Sequence, residues 1–353
     1  MQTVVYSKPF FPHMGGLERN TLTLCLALRD LGHRVHLLTE TPAEEPDDYP
    51  FRVTRTDSIF RFIQVLSGAD WLIVNGNVSL RIHPLAWLLR VSYAAIYHNY
   101  QGYRRSGERA VTRMGNHIRE LTARNATANV FTSTYAKDQA GIPSEKAHVV
   151  LNPVDKRMQR FYSGAIEKES QRKSSPFLFA GRLIEGKGLF VLARALEHLD
   201  GEIETRVVIA GEGPDEERFR RRTESLDTIR VDLAGRLDAE SLVGMYQRAR
   251  ALLVPSTTHK EGNPLVVAEA LYAGTPVIAS DQPPMIESVG DAGIIVEQGN
   301  ADELASAMRT CLHDEKTYQA LRREAGERAS KFSYEQYRER IGEIFGAPNG
   351  IDE

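Results

Sequence analysis

The segment Val254–Asp281, VPSTTHKEGNPLVVAEALYAGTPVIASD, constrains the fold more than any other stretch. It reads as a strand running to Val254, a loop, a helix and a second strand at Pro276–Ala279. Asn263 is placed to cap the helix, Pro264 suits its first position, and Gly274 suits the left-handed turn after it. Between these marks Leu265, Val266, Val267, Ala268, Ala270 and Leu271 leave almost no polar face. A helix apolar nearly all round is buried by other elements. One carboxylate, Glu269, nevertheless sits inside it, on the face of Leu265 and Val266. Burying a carboxylate without a partner is so costly that Glu269 must meet a donor. Glu261 stands in the loop feeding the helix. The free amides around Gly262–Val266 add an anion site favoured by the helix dipole.

A structural glutamate paired with a neighbouring arginine would explain Glu269 alone. The Glu-x7-Glu spacing, the Gly262-Asn263-Pro264 entry and the following Gly-Thr-Pro-Val-Ile-Ala-Ser resemble something more specific. They are similar to the donor-sugar segment of the GT-B glycosyltransferases, in particular the retaining family 4. The resemblance implies an α/β chain of GT-B architecture, two Rossmann-like domains with parallel sheets facing across a cleft. It implies that Glu261 contacts the transferred sugar and that Glu269 holds the ribose diol of the nucleotide. Asn263 departs from the pattern, where an aromatic residue is usual.

The chain has 353 residues, enough for two domains of ordinary size. Its net charge of −3 creates no general attraction to nucleic acid. Cys25 and Cys311 fall on apolar sides of expected helices, which suits buried free thiols rather than a disulfide. Met1–Ser7 runs straight into a strand, and no apolar run reaches membrane-spanning length. A soluble, cytoplasmic protein is expected.

Thr3–Ser7, helix Leu17–Leu31 and strand Arg34–Thr39 form an opening βαβ unit, which favours a parallel sheet. The dinucleotide fingerprint is absent. Gly15 and Gly16 at the helix entrance are either a plain turn or a place where backbone approaches a ligand. The resemblance favours the second, near the diphosphate and acceptor, with Glu18 in the next turn. Further strands are expected at Phe51–Thr54, Trp71–Asn75, Val91–Tyr97, Ala128–Thr132 and Val149–Leu151, and helices at Ser58–Leu66, Leu80–Leu89 and Ser133–Ala140. His98 stands just past a strand's carboxyl end, where α/β sheets collect ligands. The family carries a histidine there that contacts the donor sugar. Asn75-Gly-Asn77 sits at a similar rim, where the family often shows histidine. The stretch Arg104–Arg124 is the most basic. It reads as a solvated helix face or as a peripheral surface for an anionic acceptor or phospholipid.

Lys156–Ser175 is polar and without apolar periodicity, which suits a linker. The expected division is an acceptor-binding domain 1–155, a nucleotide-sugar domain 156–332 that includes the linker, and a C-terminal helix 333–353 crossing back. After strand Phe177–Ala180 comes Gly181-Arg-Leu-Ile-Glu-Gly-Lys-Gly188, then a helix to about Leu199. A glycine-rich loop with Arg182 and Lys187 between strand and helix suits phosphate. It nearly matches a P-loop, but Gly188 stands where a magnesium-holding Ser or Thr belongs. It fits the family's Gly-Arg-x4-Lys-Gly motif, in which Arg182 and Lys187 neutralise the donor diphosphate. Gly211 and Gly213 follow a later strand end, which suits nucleotide contact, and the resemblance implies that the base is read by backbone near Arg236 and Leu237, after the next strand. Asp238 and Asn300 are expected helix caps, and Tyr246 is expected to pack.

The resulting expectation is a metal-independent, retaining transfer from a UDP-, GDP-, ADP- or TDP-sugar to a carbohydrate, lipid or small-molecule acceptor, with no cofactor. The catalytic candidates are Glu261, Arg182, Lys187 and His98. The donor-binding set is Gly15, Gly16, Gly181, Gly211, Gly213, Arg236, Leu237, Gly262, Asn263, Pro264, Leu265, Val266 and Glu269. An epimerase or phosphorylase on the same scaffold, a P-loop hydrolase and a non-catalytic sensor are the alternatives.

Overall fold

The computed structural model describes residues 1–12, 15–43, 46–76, 79, 81–98, 110–162 (110–113 as backbone only), 175–258 and 260–346. These fall into two compact units. The first joins Met1–Asp155 with Tyr334–Glu353, and the second is Lys156–Ser333.

The first unit runs β1 (Gln2–Tyr6), α1 (Gly16–Asp30), β2 (Arg34–Thr39), β3 (Arg52–Arg55), α2 (Ile59–Leu66), β4 (Trp71–Asn75), α3 (His83–Leu88), β5 (Ser92–Tyr97), α4 (Ala110–Asn125), β6 (Ala128–Phe131), α5 (Thr134–Ala140) and β7 (Ala147–Val149). The strand order is β3-β2-β1-β4-β5-β6-β7, every pair parallel. Strands buried on both faces need continuous apolar runs, which Val4-Val5 and Leu72-Ile73-Val74 supply. Alternate residues serve opposite faces. Val4, Leu72, Val74, Ala95 and Tyr97 meet α2 through α5, while Val5, Ile73, Ala94 and Ile96 meet α1.

The second unit starts with α6 (Lys156–Gln159). It continues β8 (Phe177–Ala180), α7 (Leu189–Leu199), β9 (Thr205–Ala210), α8 (Glu216–Thr223), β10 (Ile229–Gly235), α9 (Ala239–Arg248), β11 (Leu252–Val254), α10 (Leu265–Tyr272), β12 (Val277–Ser280), α11 (Pro283–Val289), β13 (Gly293–Val296), α12 (Ala301–His313) and α13 (Glu315–Arg328). Its order is β10-β9-β8-β11-β12-β13, again all parallel. The chain then returns to the first unit as α14 (Tyr334–Phe345). Tyr334, Tyr337, Ile341 and Phe345 of α14 join the core beneath α1. The Tyr334 hydroxyl donates to Asp30 Oδ2 at 2.8 Å.

Asp238 and Asn300 cap α9 and α12 as expected, and both cysteines are buried free thiols. Four expectations need correction. The strand placed at Val149–Leu151 lies two residues earlier, and α3 is a short helix within the expected Leu80–Leu89. Residues 156–162 are not extended linker. They form α6 and a 3-10 turn, with Met158 buried; residues 163–174 lie outside the described part. Asn263 does not cap α10. Pro264 holds the cap position in extended conformation with no side-chain cap bond, and the Asn263 amide donates to Ser288 Oγ at 2.7 Å. α10 begins at Leu265, one residue later than expected, so the cap position falls to Pro264 and not to Asn263.

Candidate functional site

In a doubly wound sheet the ligand crevice lies at the carboxyl ends of the strands where the order reverses. In the second unit that reversal falls between β8 and β11. The loop after β8 carries Arg182 and Lys187, and the loop after β11 carries Glu261. Backbone binds the two loops, with Thr257 N–H donating to the Gly186 carbonyl at 2.9 Å. Gly188 lies between them at φ 79°. A Cβ there would stand 1.7 Å from the Pro255 carbonyl oxygen, so no side chain fits.

Across this junction Lys187 Nζ meets Glu261 Oε1 at 2.6 Å, with only 17% and 7% of the two side chains exposed. Ser256 Oγ donates to the same oxygen at 2.8 Å. Glu261 N–H donates to Gln282 Oε1 at 2.9 Å, and the Gln282 amide donates to the Ser256 carbonyl at 3.3 Å. Ser256 takes a second lone pair of Glu261 Oε1, and Gln282 fixes the backbone of the loop that carries Glu261, so groups after β8, β11 and β12 hold the pair in place. The helix start at Leu265 and Val266 belongs to the same loop, and its first amides have no acceptor within the helix.

The Arg182 side chain is exposed, and its backbone carbonyl accepts from the Ile184 N–H at 3.0 Å. The structure pairs Lys187 with Glu261, while Arg182 stands on the same loop after β8. Gly211 and Gly213 serve the loop-to-loop fit. A Cβ on either would stand within 2.2 Å of the Gly181 or Leu183 carbonyl oxygen. The loop after β10, with Arg236 and Leu237, joins this rim where Gly211 N–H donates to the Gly235 carbonyl at 2.8 Å.

Glu269 has no exposed surface. Its required donor is the Tyr246 hydroxyl, 2.7 Å from Oε2, and the Glu269 carbonyl accepts from Tyr162 at 3.2 Å. Tyr246, expected only to pack, is thus the polar partner of the buried carboxylate.

The first unit has its own reversal between β1 and β4. Asn75 closes β4 and His98 follows β5, with His98 Nε2 and Asn75 Oδ1 2.8 Å apart. Asn75 Nδ2 reaches Thr21 Oγ1 at 2.8 Å and Asn20 Oδ1 at 3.2 Å, and Asn20 Nδ2 reaches Asn152 Oδ1 at 2.9 Å. The proton order follows from Thr21. Its one hydroxyl hydrogen is taken by the Leu17 carbonyl or Ser7 Oγ, while the Ser7 hydrogen goes to the Pro9 carbonyl. Thr21 must therefore accept from the Asn75 amide, which turns Asn75 Oδ1 to His98 and obliges Nε2 to carry the proton. Burial pushes the His98 pKa down to about 4. The ring is neutral near pH 7 and presents Nδ1 as an acceptor. At the start of α1 the Glu18 carboxylate folds back over Gly15, into space a Cβ would occupy at 2.6 Å.

Sequence reasoning missed Ser256, Gln282 and the Tyr246–Glu269 bond. Gln282, two residues past β12, could have been found from its strand-end position; the other two needed the packing. Among the described residues no group of three or more His, Cys, Asp or Glu side chains is arranged to hold a metal ion. Nor is any described helix long and apolar enough to cross a membrane.

Residues 165–329 match the family model of the glycosyl transferases group 1, and residues 14–157 that of Glycosyltransferase Family 4. The glycogen synthase of Mycobacterium tuberculosis is 24% identical, over 89% of this chain and 86% of the relative. The D-inositol 3-phosphate glycosyltransferase of Corynebacterium aurimucosum is 31% identical over 49% of this chain and 43% of its own. Among solved structures, the sucrose-phosphate synthase of Thermosynechococcus elongatus superposes with a TM-score of 0.75 at 20% identity, covering 98% of both chains. Anabaena HepE in complex with UDP gives 0.77 at 18% identity, covering 98% of this chain and 99% of its own.

Proposed function

Because the chain belongs to glycosyltransferase family 4 and has the GT-B fold, we propose that this glycosyltransferase moves a sugar from a nucleoside diphosphate to a hydroxyl acceptor with retention and without a metal. The observation that carries the donor half is the Lys187–Glu261 pair at the β8–β11 reversal, beside the first amides of α10. An ammonium group has three donors. Glu261 uses one and holds Lys187 in place, which leaves two for phosphate oxygens. Arg182, on the same loop, supplies a second cation, and the Leu265 and Val266 amides a third source of positive potential. Fixed positive groups aimed at the departing diphosphate stabilise charge as it develops, without reorganising during the reaction. The anomeric carbon then becomes electron-poor, and Glu261 is placed to contact the sugar. In this reading Glu269 holds the ribose, and the Tyr246 hydroxyl competes with the diol for it. His98, neutral, accepts from a sugar hydroxyl.

The P-loop reading is disfavoured by the packing of Gly188. The Pro255 carbonyl fills the place of the side chain that would hold magnesium. Donor and class are tested together by a thermal-shift panel of UDP-, GDP-, ADP- and TDP-sugars. A cognate donor at a hundred times its Kd adds about 2.7 kcal/mol of stability. The panel is followed by measuring nucleoside diphosphate release. Release only when acceptor is present supports transfer; sugar isomerisation without release would establish the epimerase.

A further inference from the structure

His98 is the candidate of the first unit whose chemistry depends on where a proton sits, and a run of buried amides leads inward from it. Residues 99–109, with Arg104, Arg105 and Arg109 of the expected basic stretch, lie outside the described residues, as does the Arg113 side chain. Inward, Asn75 Oδ1 stands 2.8 Å from the ring, and Asn75 Nδ2 donates to Asn20 Oδ1 at 3.2 Å. Asn20 Nδ2 donates to Asn152 Oδ1 at 2.9 Å. The Asn20 side chain also hydrogen-bonds with the Tyr337 hydroxyl of α14. Asn20, Asn75 and Tyr337 are each 5% exposed or less. The run thus ties together the end of β4, α1, the residues after β7 and α14.

Asn20 is out of character with its surroundings. It is the fifth residue of α1, on the side that carries Leu24 and Ala27 into the core shared with Tyr337. A leucine there would suit helix and packing better, because asparagine has the lower helix propensity and a buried amide must be matched. The match is complete in one orientation. With Asn20 Oδ1 towards Asn75, the Asn75 amide has acceptors for both hydrogens, Thr21 and Asn20. Turned over, Asn20 would set one NH2 group against another and an oxygen against Asn152 Oδ1. Asn75 would relieve its side of this by turning as well, which brings its NH2 to His98 Nε2. That nitrogen would then have to accept, and the ring proton would move to Nδ1. His98 would present a donor where it now presents an acceptor.

We propose that Asn20 is a positioning residue for His98, holding the ring in its Nε2–H form through Asn75, and that Tyr337 of the returning helix holds Asn20. A buried amide network whose members are all matched specifies one arrangement, and a single unmatched member loosens the rest. The role of α14 then extends beyond covering the core, since it steadies one end of a hydrogen-bonded run whose other end is the histidine. The use of this device in the reaction rests on the reading of His98 as acceptor for a sugar hydroxyl. The position of the ring proton does not, so the two are tested apart.

The test uses the full chain with isotope-labelled histidine and no sugar nucleotide. Long-range proton–nitrogen NMR at neutral pH reads the ring nitrogens, and the His98 signals are those lost in His98→Asn. The parent is expected in the Nε2–H form. Asn20→Leu keeps the branched shape without the amide, and the ratio of Nε2–H to Nδ1–H should fall at least about tenfold, as the loss of one buried hydrogen bond implies. Asn20→Asp keeps an oxygen facing Asn75 and should keep the parent form. Tyr337→Phe should move the ratio the same way as Asn20→Leu, by about threefold. A parent ring in the Nδ1–H form overturns the proposal, as does a parent-like ratio in Asn20→Leu. A parent-like ratio in Tyr337→Phe removes α14 from it, and decides against the whole if Asn20→Leu does not fold. Where the ratio shifts, kcat/KM with the cognate donor should fall with it. A shift without loss of activity upholds the positioning of the ring and removes His98 from the sugar contact.

Discussion

Lys187 and Glu261 form a pair whose two members should fail differently. Lys187→Ala removes positive charge from the leaving group and leaves Glu261 desolvated without its cation. A fall in kcat/KM of at least about a hundredfold is expected, together with about 1–3 kcal/mol of stability. Glu261→Gln keeps the shape and frees Lys187, so it should cost activity but little stability. Steady-state kinetics beside thermal melts separate the two effects, and full turnover in Lys187→Ala would remove the assignment. His98 makes the second prediction at this scale. Asn75→Asp sets a carboxylate against Nε2–H and should raise the His98 pKa by about 1–3 pH units from its depressed value. An NMR titration of the ring reads this directly. If the parent ring already titrates near 6.5, burial does not depress it and this prediction fails.

At the scale of the element, α10 shows what the neighbours supply. Its apolar sequence makes it a buried helix, but the donor for Glu269 comes from α9, 23 residues away in sequence. Tyr246→Phe deletes one hydroxyl and should cost about 1–3 kcal/mol by leaving the buried carboxylate short of a donor. Denaturant unfolding measures it, and an unchanged midpoint would mean that other partners suffice. If Glu269 also holds the ribose, the same variant should bind donor no more weakly than the parent, while Glu269→Gln weakens it. The start of α7 gives the complementary case. Its Gly188 was legible as a departure from the P-loop, yet the reason, the Pro255 carbonyl 1.7 Å from any Cβ, belongs to a loop far along the chain.

For the whole molecule, the return of α14 ties the last segment of the chain to the first unit. His33 Nε2 lies 2.7 Å from the Gly346 carbonyl and can only donate to it, while Thr3 Oγ1 lies 2.8 Å from Nδ1. Burial lowers the pKa of His33, as it does that of His98. Both rings are neutral in the fold, whereas in the unfolded chain they protonate near their ordinary value. The unfolded state therefore binds more protons once the pH falls below about 6.5, and stability declines from there towards pH 4. Melting temperatures across that window should fall, and replacing His98 by Asn should flatten part of the slope. Deleting 334–353 removes Tyr334, Tyr337, Ile341 and Phe345 from the core. That forfeits on the order of 5 kcal/mol or more of apolar burial. The first unit should then unfold or become protease-sensitive, and a truncated chain that melts like the parent would contradict this.

Sequence alone determined what is local. Apolar runs of strand length, helices punctuated by Asp238 and Asn300, and glycine-rich strand ends made the alternating parallel α/β plan readable, because period, caps and turn chemistry act over a few residues. The Glu-x7-Glu segment and the Lys187 loop were readable for the same reason, as compact clusters of charge at strand ends. Only the tertiary structure decided which of these groups meet. The reversal of strand order lays β8 beside β11 and so brings Lys187 to Glu261, 74 residues apart. Packing of α9 on α10 gives Glu269 its tyrosine, and α11 gives the Asn263 amide Ser288 as its acceptor. A buried polar group takes whichever partner the fold delivers at hydrogen-bonding distance, and that distance is a property of packed layers.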